Sequence, residues 1–231
     1  MRASVIVFPG TNRERDIAEA VQAVSGRPSI MVWHGDAEVP KCDLIVLPGG
    51  FSYGDYLRTG AMAAHSPIMR DVIAKAKAGV PVLGVCNGFQ TLCEAGLLPG
   101  VLLRNASLKF ICKDVHLRVD NASTMYTNRY KKGDLAKVIV AHGDGNYFAD
   151  KATLDQLEAD DRVVFRYAAA NGEVNEASNL NGSQRNIAGI IDKTGKILGM
   201  MPHPENACEL ALGSTDGRAL FESIASSLMA A

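Results

Sequence analysis

No run of apolar residues in this chain approaches the roughly 20 that a membrane-crossing helix needs, so a helical membrane span is excluded. The opening Met1-Arg2-Ala3-Ser4-Val5-Ile6-Val7-Phe8 turns to proline and glycine too early for a secretory signal, and a cytoplasmic location is expected. Excess charge of either sign is missing too. With 24 Lys and Arg against 25 Asp and Glu the net charge is -1, so no long-range field draws nucleic acid or anionic lipid, and a small neutral or zwitterionic substrate fits better. The five cysteines, Cys42, Cys86, Cys93, Cys112 and Cys208, show no Cys-x-x-Cys and no Cys/His grouping at zinc spacing, which argues against a disulfide framework and a structural metal. Four of them read as small buried apolar side chains, and Cys86 is the exception. The pattern Gly-x-x-x-x-Gly-Lys-[Ser/Thr] is also absent, so the chain carries no phosphate loop of that kind.

What is present describes a globular α/β protein, expected as a single domain over residues 1–231, with no linker and no internal repeat. Strand-like runs alternate with helical patterns through the first hundred residues, the signature of a mostly parallel central sheet with helices on both faces. Ser4 to Phe8, Ser29 to Trp33, Asp43 to Leu47 and Val80 to Val85 read as strands. Ile17, Ala20, Val21 and Val24 fall on one helical face. Ser66-Pro67 reads as an N-cap with proline at the first helical position, followed by a stripe of Ile68, Met69, Val72, Ile73 and Ala76. A helix from Asn87 to about Ala95 is expected to end at Gly96. Further along, Lys109 to Val119, Lys137 to Ala141 and Arg162 to Ala168 read as partly antiparallel strands. Asn186 to Asp192 and Lys196 to Met201 read as a hairpin, and Asp216 to Met229 as a closing helix with Leu220, Phe221, Ile224 and Leu228 inward. The polar stretch Asn171 to Arg185 is long enough for a functional loop.

Three short motifs carry chemistry. Gly84-Val85-Cys86-Asn87-Gly88 lies where a strand meets a helix, the setting of a nucleophile elbow. The flanking glycines allow a tight turn with the sulfur exposed at the strand end, and the helix N-terminus favours thiolate over thiol. A buried cysteine at a tight turn would use the same glycines, and five residues do not decide between the two. Met201-Pro202-His203-Pro204-Glu205 follows the last strand. In extended backbone His203 and Glu205 face the same way, so the carboxylate can hold the imidazole in one tautomer. Leu47-Pro48-Gly49-Gly50-Phe51 ends another strand, where the Gly50 N–H can serve as an oxyanion donor beside that of Asn87. A plain Pro-Gly-Gly turn is the alternative.

Cysteine, histidine and glutamate in this order resemble the class I glutamine amidotransferases, the triad type on a flavodoxin-like fold. The resemblance covers essentially the whole chain. Phe8-Pro9-Gly10-Thr11-Asn12, Gly49 to Arg58, Ala141-His142-Gly143-Asp144-Gly145, Asn181-Gly182-Ser183 and Gly199 to Glu205 are similar to a narrower branch, the glutaminase subunits of phosphoribosylformylglycinamidine synthase. The resemblance implies that Cys86 attacks the glutamine side-chain amide, that His203 passes the proton to the leaving ammonia, and that water hydrolyses the thioester. Gln90, one helical turn after Cys86, is expected to help seat the substrate. His142 is a weaker candidate for that task, since a histidine in a glycine-rich turn is as good a reading. No cofactor is expected in this chain. ATP and Mg belong, by the same resemblance, to a large synthetase subunit, usually joined through a small bridging subunit. Phe51, Tyr53, Tyr56 and Arg58 are residue types enriched at interface anchors and are expected to couple the site to that partner, unless they only pack the loop within this domain. Arg13 stands where the branch often has a cysteine.

Two rival readings remain open at this point. One is an amidotransferase or cysteine hydrolase of the same fold serving another acceptor. The other is a redox sensor that uses the Cys86 thiol and needs neither His203 nor Glu205.

Overall fold

The computed structural model describes residues 1–229. Strands β1 (Ala3–Val7), β2 (Ile30–Trp33), β3 (Leu44–Leu47), β4 (Val82–Val85), β5 (Val101–Leu103), β6 (Ile111–Val119), β7 (Leu135–His142), β8 (Asn146–Phe148), β9 (Val163–Ala168), β10 (Ile187–Ile191) and β11 (Ile197–Met200) are interleaved with six helices. These are α1 (Glu14–Ser25), α2 (Ala61–Ala64), α3 (Pro67–Lys77), α4 (Asn87–Glu94), α5 (Lys151–Ala159) and α6 (Arg218–Met229).

One nine-stranded sheet runs in the order β2-β1-β3-β4-β11-β10-β9-β6-β7, while β5 and β8 pair separately. The pairings from β2 through β11 are parallel and those from β11 to β7 antiparallel. Because each antiparallel step reverses direction, only β10 and β6 run against the rest, and the sheet is mixed but mostly parallel. Every residue of β3, β4, β10 and β11 is buried. Successive side chains point to opposite faces, so this part of the sheet is covered on both sides. The edge strand β2 instead exposes Ile30, Met31 and Trp33.

The strands and helices read from the sequence are present with ends shifted by a few residues. Ser66 does precede Pro67 in extended backbone, but its side chain makes no cap hydrogen bond. Its hydroxyl is instead 2.8 Å from the Tyr53 hydroxyl, so a tertiary partner has replaced the local one. Ile73 is only half-buried, leaving Ile68, Met69, Val72 and Ala76 as the inward stripe. Helix α5 was not legible by periodicity, because only Leu154 and Leu157 are buried. Its mark in the sequence is the cap, where Asp150 accepts from the Thr153 N–H at 2.9 Å. Cys112 is exposed rather than buried. It lies where β6 pairs with β7 alone, before β9 joins at His116.

Candidate active site

Cys86 sits between β4 and α4 at φ 52° and ψ -108°, a conformation that an L-residue adopts only under constraint. The flanking glycines do avoid the side-chain clash expected of them, but they do not supply the unusual backbone of the turn. Neither is at positive φ; the strained residue is the cysteine itself. The glycines serve close approach instead. A Cβ on Gly88 would lie 1.9 Å from the Leu47 carbonyl oxygen, and one on Gly84 2.5 Å from Leu92 Cδ1. Helix α4 is thereby pressed onto β3 and β4 with its N-terminus at the sulfur. Cys86 is 5% exposed, so the thiol is sheltered rather than displayed as the motif alone suggested.

The N–H of Cys86 donates to Met200 O at 2.7 Å, and that of His203 to Ile139 O at 2.8 Å. These two bonds bring the strand ends of β4, β11 and β7 together. His203 Nδ1 is 2.7 Å from Glu205 Oε1, with both side chains buried. The contact does not arise from an extended chain, as the two prolines suggested. Pro204–Ala207 form a 3-10 turn that folds the carboxylate back under the ring. Burial alone would push the His203 imidazole down. The Glu205 carboxylate and the neighbouring Cys86 sulfur more than offset this and raise it, favouring the imidazolium. A Cβ on Gly49 would lie 2.7 Å from His203 Cε1 and 3.4 Å from Cys86 Cβ, so glycine leaves room for both side chains.

The two candidate oxyanion donors come from the Gly50 loop and from the first residue of α4. Gly50 forms an isolated bridge with Thr11. It is made by Phe51 N–H to Gly10 O at 2.9 Å and Asn12 N–H to Gly49 O at 3.4 Å, which leaves the Gly50 N–H outside it. Asn87 opens α4, where a backbone N–H has no partner within its own helix. Its side chain has a separate task. Oδ1 accepts from Ser52 N–H at 3.1 Å and from the Ser52 hydroxyl, while Nδ2 donates to Gln90 Oε1 at 2.9 Å. Gln90 Nε2 then donates to Asp144 O at 2.6 Å. The amides of Asn87 and Gln90 thus tie the Gly50 loop, α4 and the His142 loop together.

These elements line a cavity of about 300 Å³ that Cys86 and Gln90 both reach. Ala141 to Asp144 form one wall, Gly50, Phe51, Gly54, Asp55 and Thr59 another, and Arg104, Leu108 and Phe110 line it as well. Burial, and then the charge of Asp144, raise the Asp55 carboxyl to about 6, with a hydrogen bond from Asn87 opposing. Among the described residues no cluster of His, Cys, Asp or Glu could hold a metal ion, and no helix is long and apolar enough to cross a membrane.

Residues 1–219 match the family model of the CobB/CobQ-like glutamine amidotransferase domain. The chain is 62% identical over 229 residues to the phosphoribosylformylglycinamidine synthase subunit PurQ of Rhodospirillum rubrum, covering 99% of this chain and 100% of that one. It is 60% identical over 222 residues to the PurQ of a Rhodopseudomonas palustris strain, covering 96% and 95%. The chain belongs to the PurQ family. A solved PurLQS structure from Thermotoga maritima matches with a TM-score of 0.85 at 41% identity over 98% of both chains. The glutaminase domain of a Trypanosoma brucei CTPS shares the fold alone, at 14% identity and a TM-score of 0.58.

For a PurQ family member the placement of the expected residues is informative. Cys86, His203, Glu205, Gly50, Asn87, Gln90 and His142 converge. Of the four coupling candidates, Tyr53 is tied within the domain, its hydroxyl 2.7 Å from His34 Nδ1. Phe51 is 42% and Tyr56 88% exposed, and Arg58 donates to Glu94 with its side chain largely in solvent. Arg13 takes part through its backbone, its N–H donating to Gly49 O at 3.3 Å, so the side chain at that position is not what holds the glycine. The polar loop supports the site from behind. Asn181 Nδ2 and Ser183 Oγ donate to Gly145 O at 2.7 and 3.1 Å. Arg104, Leu108 and Phe110 were not singled out by the sequence, and no motif rule marks them, while Asp55 lies within the Gly49 to Arg58 motif without a role being read for it.

Proposed function

We propose that this chain hydrolyses L-glutamine to glutamate and ammonia through a Cys86 thioester. It passes the ammonia to a partner synthetase that makes phosphoribosylformylglycinamidine in purine biosynthesis. The observation that carries the reading is the buried His203–Glu205 pair, bonded at 2.7 Å, beside a cysteine held at a helix N-terminus and lining a cavity of about 300 Å³.

The Cys86 thiolate attacks the carboxamide carbon, and the N–H groups of Gly50 and Asn87 receive the developing negative oxygen. His203, as imidazolium, gives its proton to the departing nitrogen and later takes one from the water that hydrolyses the thioester. Glu205 keeps the ring oriented and charged. Gln90 and the His142 loop seat the substrate, whose ammonium and carboxylate find charges of both signs in Asp55, Asp144 and Arg104. A sensor thiol would need none of this, which disfavours the redox reading. One contiguous apolar core supports treating residues 1–231 as a single amidotransferase domain.

No cofactor is needed for the hydrolysis itself. ATP and Mg would act on a large synthetase subunit, joined with a small bridging subunit, as the likeness to the PurLQS structure supports. Phe51, which lines the cavity, and the exposed Tyr56 and Arg58 further along the same loop would meet that partner, with Tyr53 anchoring the loop. Cys86→Ala in the reconstituted complex is expected to abolish glutamine-dependent synthesis while synthesis from added ammonium salts is kept. Loss of both in a folded, still-associating variant refutes the division of labour.

A further inference from the structure

The loop that carries Gly50 continues into three consecutive residues in the left-handed region, Tyr53 at φ 57°, Gly54 at 74° and Asp55 at 55°. Only the glycine takes this conformation freely, so the turn has to be held by its surroundings. Both of its ends reach one side chain. Asn87 Oδ1 accepts from the Ser52 N–H at 3.1 Å and from the Ser52 hydroxyl, and Asn87 Nδ2 lies 3.4 Å from Asp55 Oδ1. The partners settle which way this amide points. A backbone N–H only donates, so the atom facing Ser52 is the oxygen and the nitrogen faces Asp55 and Gln90. Gln90 in turn presents Oε1 to Asn87 at 2.9 Å and Nε2 to Asp144 O at 2.6 Å. Ser52, Asn87 and Gln90 are all buried, so water offers these groups little substitute if one of them is removed.

Asn87 thus has two connections to the oxyanion site. Its backbone N–H, at the start of α4, is one of the two donors assigned above, and its side chain grips the loop whose Gly50, two residues before Ser52, carries the other. On the opposite side the loop is tied to the segment between β1 and α1, through Phe51 N–H to Gly10 O at 2.9 Å and Tyr53 N–H to Pro9 O at 2.7 Å. Those bonds set its distance from β1, while the Asn87 amide sets its distance from α4. We propose that the Asn87 side chain is a positioning residue for the oxyanion site: by holding the turn from Ser52 to Asp55 against α4, it fixes the spacing between the Gly50 and Asn87 N–H groups. This rests on the glutaminase reading above and deepens it. Two donors on separate segments act on one oxygen only while their spacing is kept, and a displacement of about 1 Å can cost about 100-fold in rate. Bound glutamine feels the displacement less, because the charge on its oxygen develops only as the thiolate attacks.

The test is made in the complex with the synthetase partner. Asn87→Ala keeps the backbone N–H and removes only the side-chain tie, so kcat for glutamine is expected to fall about 100-fold while KM stays within about threefold of the wild-type value. Alkylation of Cys86 by iodoacetamide, in which the sulfur bonds to carbon, iodide leaves and no oxyanion forms, should keep its rate within about threefold. A fall in both turnover and alkylation would show that Asn87 serves the nucleophile, and a raised KM at unchanged kcat that it serves binding. Either result overturns the inference, as does a folded variant with the wild-type kcat and KM. Ser52 keeps the inference open to refutation if Asn87→Ala does not fold. Ser52→Ala, which loses the hydroxyl bond alone, is expected to lower kcat about tenfold at unchanged KM, and Ser52→Thr, which keeps a hydroxyl, to stay within about threefold of wild type. Ser52→Ala at the wild-type kcat, or Ser52→Thr as slow as Ser52→Ala, overturns it. Absence of glutamine turnover in the wild-type complex would instead count against the glutaminase reading itself.

Discussion

Cys86 has a backbone conformation that costs the fold stability, and the cost can be isolated by comparing Cys86→Ala with Cys86→Gly. At φ 52° and ψ -108° a residue with a Cβ carries strain of about 1–3 kcal/mol, which alanine keeps and glycine releases. Against that release stand two losses. Glycine gives the unfolded chain more freedom, about 0.5–1 kcal/mol, and the Cβ removed from this 5% exposed site takes about 0.8 kcal/mol of burial with it. Without strain, glycine would be less stable than alanine here by about 1.5 kcal/mol; with strain of about 2 kcal/mol it is more stable by about 0.5 kcal/mol.

Urea unfolding separates these outcomes. With a slope of roughly 3 kcal/mol per molar urea for a chain of this size, the two cases differ by about 0.7 M in the separation of the midpoints. Ala74→Gly, at an exposed position of α3, supplies the control and should destabilise by about 1 kcal/mol. If Cys86→Gly falls below Cys86→Ala by as much as the unstrained sum, the elbow is not strained and the argument fails. Neither variant has a nucleophile, so both should be inactive with glutamine.

Three further outcomes are expected. His203→Ala should be nearly as damaging as loss of Cys86, and Glu205→Ala milder, since the carboxylate orients and charges the ring while the ring moves the proton; equal damage refutes that ordering. Glu205→Gln removes the carboxylate that raises the His203 pKa, so the fraction of imidazolium falls and the alkaline limb of the kcat/KM profile moves to lower pH; an unmoved limb refutes the assignment. The isolated chain should turn over glutamine slowly, and the synthetase partner should raise the rate about tenfold, equivalent to about 1.4 kcal/mol of barrier, by fixing the Gly50 loop with its N–H inward. Equal rates with complex formation confirmed would show that the free chain already holds the loop in place.

What could be read from the sequence, and what could not, follows from where each residue's partners lie. The parallel half of the sheet was legible because β1, β3 and β4 are apolar runs whose burial needs no distant partner to be inferred. Helix α5, with only Leu154 and Leu157 inward, was not. Cys86, His203 and Glu205 were legible because glycines beside the first and prolines beside the other two mark places where backbone or packing is out of the ordinary. The reasons attached to those glycines and prolines were partly wrong. Gly84 and Gly88 relieve contacts with Leu92 and Leu47, and Pro204 starts a turn rather than extending a strand. Local sequence marks the place, while the cause lies in atoms far along the chain. Asn105 shows the limit of such reading. It is a fully buried asparagine whose partners are His142, Lys109 and Gly145, and nothing within several residues of it distinguishes it from a turn asparagine. A side chain whose hydrogen-bond partner lies some 37 residues away leaves no spacing to find. Residues of this kind become visible only when the donors and acceptors around the site are matched one by one, which leaves His142 Nε2, His203 Nε2 and Glu205 Oε2 without partners among the described residues.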